Sequence, residues 1–96
     1  RPYLGITYLE RNGQVSDRPS IPGQAGAMIT SVAPGSPAAM AGLIEGDVIL
    51  AMDGLSLNRD NPLVKQLIKR RAGERVRLVV QRGRENLTLE IVLGKR

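Results

Sequence analysis

The C-terminal stretch constrains the fold more tightly than any other. Val76, Leu78 and Val80 fall at every second position, and Leu87, Leu89, Ile91 and Leu93 do the same after the turn Arg82-Gly83-Arg84-Glu85-Asn86. A period of two places all such side chains on one face of a pleated strand, whereas a helix would scatter them around its axis. Two strands of this kind joined by a Gly-bearing turn read as an antiparallel hairpin. The apolar face of a hairpin cannot stand alone in water, so the rest of the chain must cover it. With 96 residues there is enough chain for one compact core and too little for two ordinary domains, so residues 1–96 are read as a single domain. Tyr3 and Tyr8 are the only aromatic residues, which leaves Leu, Ile, Val, Ala and Met to build that core.

The preceding residues supply the covering elements. Leu4, Ile6 and Tyr8 alternate with Gly5, Thr7 and Leu9 and predict a short strand that opens the domain near its boundary. Glu10 to Gly26 is rich in Gly, Pro, Ser, Asp and Gln and reads as a long loop. A second strand is expected over Ala27 to Val32, followed by Ser36-Pro37-Ala38-Ala39-Met40-Ala41-Gly42. That heptapeptide carries a helix with both ends marked: Ser36 caps free N–H groups, Pro37 suits the first position, and Gly42 permits a left-handed stop. Gly46-Asp47 turns the chain into a strand from Val48 to Met52, ended by Asp53-Gly54, with Asp47 expected to bond nearby backbone N–H groups.

A longer helix is predicted from Asn61 to Arg71, capped by Asp60 or Asn61 and stopped at Gly73. At about 100° per residue, Leu63 and Leu67 form one apolar stripe and Val64 and Ile68 a second one beside it. The first is expected to seal the core; the second remains to line something else. Periodicity taken alone reads all four as core.

The missing residue types exclude whole classes of chemistry. Without Cys or His there is no thiolate nucleophile, no zinc-thiolate site and no Ser-His-Asp triad, and the serines have no base to activate them. No metal site, cofactor or catalytic residue is expected. No run approaches the roughly 18 apolar residues of a membrane span, and no charged-then-apolar leader is seen, so a soluble segment is expected. The net charge of +5 raises nucleic acid or an anionic surface as a partner. Against it, Lys69, Arg70 and Arg71 have a structural reason to close a helix, and two tyrosines are a poor supply of stacking platforms. Nucleic acid is therefore not an expected partner.

Two segments carry a family resemblance. Tyr3-Leu4-Gly5-Ile6 resembles the carboxylate-binding loop of PDZ domains, and GAMITSVAPGSPAAMAGLIEGDVILAMDG, from Gly26 to Gly54, resembles the central block of PDZ domains in HtrA/Deg serine proteases. Tyr3 stands where the first glycine of that loop is usual. Because the loop-bearing strand comes first and the hairpin last, the order is similar to the circularly permuted PDZ domains of bacteria. The resemblance implies a mainly β fold: a partly open barrel of five to six strands capped by two α-helices.

It also implies a peptide site. The N–H groups of Leu4, Gly5 and Ile6 would receive a terminal carboxylate, with Arg1 assisting through water; Tyr3 belongs to the same loop. The peptide would add as a strand along Ile6, Thr7 and Tyr8. Leu4, Ile6, Val64 and Ile68 would hold its last side chain, and Asn61 and Lys65 would meet residues further back. The implied partners are C-terminal or unfolded segments of substrate proteins and a parent protease in the bacterial periplasm or envelope, through which any membrane association would come. A site-2 or C-terminal-processing protease, a secretion protein, or a basic nucleic-acid or anionic-surface binder are the alternative settings.

Overall fold

The computed structural model describes residues 2–12, 25–58 and 60–95. Among these residues six strands form one sheet. Its path runs from β2 (Ile6–Asn12) through β3 (Ala25–Val32) and β4 (Val48–Met52) to β6 (Arg75–Arg82) and β7 (Glu85–Val92), while β5 (Leu55–Ser56) pairs off β4. Every one of these pairings is antiparallel. The chain ends meet in a separate ladder, in which β1 (Pro2–Tyr3) pairs with β8 (Gly94–Lys95). With α1 (Pro37–Ala41) and α2 (Leu63–Leu67), this is a mainly β, partly open barrel with two short helices.

The hairpin forms as its alternation requires but with a tighter turn than the five residues expected, since Arg82, Glu85 and Asn86 are paired and only Gly83 and Arg84 lie between the strands. β6 and β7 pair from Arg75↔Val92 to Arg82↔Glu85, and Val76, Leu78, Val80 and Ile91 are buried. Ile29, Ile49, Met52, Leu57 and Leu63 meet them from the other elements, each almost wholly withdrawn from water. Each such side chain contributes about 1.5–3 kcal/mol relative to exposure, which is how an aliphatic core replaces the missing aromatics. Among the described residues no helix is long and apolar enough to cross a membrane, and no three His, Cys, Asp or Glu residues cluster as metal ligands would.

α1 follows its local signals. Ser36 Oγ accepts from Ala39 N–H at 3.2 Å, Pro37 opens the helix, and Gly42 stops it at φ 96°. Asp47 Oδ2 accepts from Ile44 N–H at 3.1 Å, as expected of a turn aspartate. Its second partner comes from far along the chain. Arg82 grips both carboxylate oxygens at 2.8 and 2.9 Å and donates to Gly42 O at 2.8 Å, so one guanidinium ties β6 to the end of α1.

Three further expectations need correction. The first strand does not run unbroken from Leu4, because Gly5 at φ 89° turns the chain between β1 and β2. The loop expected from Glu10 to Gly26 is shorter at both ends, since β2 pairs on to Asn12 and β3 begins at Ala25; residues 13–24 lie outside the described ones. The third correction concerns the helix predicted over Asn61 to Arg71, of which α2 keeps only Leu63–Leu67. Pro62 at φ −70°, ψ 163° is its extended N-cap and has no side-chain acceptor to offer. The Asn58 carboxamide closes the turn before it, accepting from Asp60 and Asn61 N–H at 2.9 Å, so neither Asp60 nor Asn61 is the cap. After Leu67 the bonds tighten to i→i−3, with Lys69 N–H donating to Gln66 O and Arg70 N–H to Leu67 O. Arg70 then pairs with Asp53 and Glu74, both at 3.0 Å, which pulls it toward β4 rather than leaving it to offset a helix dipole.

Candidate functional site

β2 lies at one end of the sheet, so one of its two rows of backbone polar groups faces β3 and the other faces outward. Ala33 N–H donates to Gly5 O at 2.8 Å, and Ile6 stands opposite Val32 in the register. In an antiparallel ladder that makes Ile6↔Val32 a non-hydrogen-bonded pair, and it directs the N–H and C=O of Ile6 away from β3. No backbone acceptor is found among the described residues for Leu4 N–H or Gly5 N–H. One turn of chain and the first residue of an edge strand thus present donors in succession, an arrangement suited to an anion and to an incoming strand.

The turn is held from behind. Leu4 O accepts from Ala38 N–H at 3.0 Å, and the Leu4 side chain is buried in the core. Gly5 packs so closely on the start of α1 that a Cβ there would lie 2.6 Å from Ser36 Oγ. The helix cap that folds α1 therefore also shapes the loop.

A groove of about 480 Å³ opens beside this turn, lined by residues 2–8, by Ser31, Val32, Ala33 and Pro34, and by Leu67 from α2. It brings together Tyr3, Leu4, Gly5, Ile6, Thr7 and Tyr8 of the residues singled out in the sequence. Arg1 lies outside the described residues. Burial first, and the Glu10 carboxylate second, raise the Tyr8 hydroxyl above its ordinary pKa, so it is a protonated donor at neutral pH.

The helix contributes differently from the two-stripe expectation. Leu63 is wholly buried, but Leu67 both packs on the core and lines the groove. Val64 and Ile68 stay 53% and 71% exposed and lie outside the groove lining. The angular argument assumed a helix continuing past Ile68, whereas this one ends at Leu67 and Ile68 is its C-cap. Lys65 Nζ folds back to Asp60 O at 3.0 Å, and the half-buried Asn61 accepts from Gln66 Nε2 through its backbone carbonyl. Two residues near the helix escaped the sequence reading. Gln66 is buried, though nothing in a polar residue between Lys65 and Leu67 signals that, and Glu10 Oε1 accepts from Leu63 N–H at 3.2 Å.

A family model described as PDZ domain matches residues 2–93. The chain belongs to the PDZ domain family. Its curated relatives are HtrA/Deg-type serine proteases. The putative protease Do-like 14 of Arabidopsis thaliana is 34% identical over 99 residues, covering 96% of this chain and 21% of that protein. The periplasmic pH-dependent serine endoprotease DegQ of Escherichia coli is 31% identical over 93 residues, covering 97% of the chain and 20% of the relative. Among solved structures, the HtrA-type protease AlgW with decapeptide superposes with a TM-score of 0.82 at 27% identity, over 100% of this chain and 30% of that one. The PDZ domain described here thus spans about a fifth of the length of the curated relatives it matches.

Proposed function

We propose that this PDZ domain binds the C-terminal residues of proteins by strand addition to β2, with the terminal carboxylate on the N–H groups of Leu4, Gly5 and Ile6. The observation that carries the reading is the outward-facing backbone of Ile6 at the mouth of a groove whose turn keeps two further N–H donors unpaired by backbone. Leu4, Ile6 and Leu67 form the apolar seat for the last side chain, and Thr7 and Tyr8 continue the edge. Arg1 assists the carboxylate, Tyr3 shapes the turn, and Val64 and Ile68 form an outer apolar lip. Asn61 and Lys65 meet peptide residues further from the end. The domain serves an HtrA/Deg-type protease of the bacterial envelope, recruiting substrates or regulating the parent.

A peptide ending in Val or Leu with a free carboxylate should bind at tens of micromolar, about −6 to −7 kcal/mol, as one added strand and one filled pocket would supply. Its amide should bind at least about tenfold more weakly, because charge-assisted hydrogen bonds are roughly twice as strong as neutral ones. Calorimetry on the pair decides, and equal affinities would refute carboxylate recognition.

The helix can be tested separately. Ile68→Asp should leave the melting temperature nearly unchanged, since the side chain is 71% exposed. It should weaken the peptide only a few-fold, on the order of 1 kcal/mol, by setting a carboxylate beside the apolar lip. Leu67→Asp should lower both stability and affinity, because that side chain serves core and groove together. An Ile68→Asp domain that unfolds would contradict the exposed lip.

A further inference from the structure

Glu10 stands four residues beyond Ile6 on β2, and although the residue is exposed its carboxylate reaches across to the start of α2. Oε1 accepts from Leu63 N–H at 3.2 Å, joining residues 53 apart in the chain. Leu63 is the first residue of α2, and Pro62 before it supplies no side-chain cap. The nearby Asn58 carboxamide oxygen is already committed to Asp60 and Asn61. Glu10 is thus the acceptor that this helix start has in place of a local cap.

The tie joins β2 to α2, the two walls between which a strand added to β2 would lie. At roughly 3.4 Å per residue, the span from Ile6 to Glu10 is about 14 Å, room for about four residues of an added strand. β2 itself continues to Asn12, still paired with β3, so the strand does not run out at Glu10. What crosses from β2 to α2 there is the Glu10 side chain, with the sheet continuing past it.

Building on the peptide-binding reading, we infer that Glu10 is a length gate that limits productive strand pairing in this groove to about four residues at a chain end, so that further extended residues add no affinity. A C-terminal stretch of about four residues enters without touching the tie. A longer segment must displace Glu10 and leave Leu63 N–H without its acceptor, and that loss cancels what the extra strand pairing gains.

The test compares a tetrapeptide ending in Val with an octapeptide that carries the same last four residues behind four Ala and Ser residues, both with free carboxylates, titrated into the whole chain. Wild type should bind the two equally. Glu10→Ala should favour the octapeptide by about tenfold, the gain from strand pairing no longer opposed. Glu10→Gln, which keeps an acceptor of the same reach, should hold the ratio near one. Amide exchange in the wild-type chain gives a second readout that needs no variant: Leu63 N–H should exchange faster with saturating octapeptide and at an unchanged rate with tetrapeptide. An octapeptide advantage in wild type equal to that in Glu10→Ala, or Leu63 exchange indifferent to the octapeptide, would overturn the gate and leave the peptide reading standing. Absence of tetrapeptide binding would overturn both.

Discussion

Gly5→Ala should abolish measurable peptide binding and lower the stability of the domain by about 2–3 kcal/mol, the sum of a left-handed backbone penalty and the loss of a helix cap. Gly5 sits at φ 89°, a region that L side chains rarely adopt, and the added Cβ would lie 2.6 Å from Ser36 Oγ. Ser36 is not a side chain that can swing aside. It is buried and caps α1 through Ala39 N–H, so the clash must open either the loop or the helix start. Either movement takes the N–H groups of Leu4 and Gly5 out of line with Ile6. Thermal melts and calorimetry on Gly5→Ala, and on the same change in a Ser36→Gly background, separate the two causes. The second background removes the obstruction but not the strain, so it should recover part of the binding. A Gly5→Ala domain that melts and binds like wild type would mean that the turn has no part in the site.

What could be read in the sequence was local, and what could not was brought together from a distance. α1 carries its own start and stop in Ser36, Pro37 and Gly42, and no other part of the chain is needed to place them. The β6–β7 hairpin is equally self-contained, since its period of two and its Gly83 turn are contiguous. The β1–β8 ladder has two residues on each side, too few for any period to appear, and it exists because the two ends of the chain meet. α2 is the intermediate case. Its apolar residues were visible, but its length is set by Pro62 at one end and by the pairing of Arg70 with Asp53 and Glu74 at the other. A five-residue helix in place of one extending to Arg71 goes with Leu67 lining the groove and Ile68 exposed outside its lining.

The site shows the same division. The loop at Tyr3-Leu4-Gly5-Ile6 was singled out by resemblance, and in the structure it is held from behind by Ala33, Ser36 and Ala38. Glu10 was read as the first residue of a loop, because alternation ceases to be apolar there. Its position on β2 follows from pairing with Ala27, and its bond to Leu63 follows from the packing of α2 over the sheet; neither leaves a trace in neighbouring residues.

Arg82→Ala should produce the other large effect, at a residue far in sequence from the group it serves. Asp47 is 1% exposed, and its carboxylate is held by Arg82 on both oxygens and by Ile44 N–H on one. Burial alone would raise its pKa; the hydrogen bond from Arg82, the bond from Ile44 N–H and the charge of Arg82 outweigh that and hold it below the ordinary carboxylate value. Removing Arg82 strands a buried charge, a change for which losses on the order of 10 °C in melting temperature are expected in a domain of this size. The sign of the pH dependence follows. A carboxyl whose folded pKa is depressed contributes its full stability above its unfolded pKa of about 4 and loses it as pH falls through the folded value. Glu74 is lowered as well, by its bonds with Arg70 and Arg71 N–H, so acid weakens the wild-type domain through two groups. The difference between wild type and Arg82→Ala isolates Asp47. It should be greatest near pH 7 and shrink as the pH is lowered through the folded-state pKa values of Asp47 in the two proteins, the one without Arg82 taking up the proton first because burial is then less opposed. Melting curves for both proteins between pH 2.5 and 7, each condition set in the experiment, provide the measurement. A gap that stayed constant across that range would show that Arg82 acts through its contact with Gly42 O and its packing rather than through the Asp47 carboxylate.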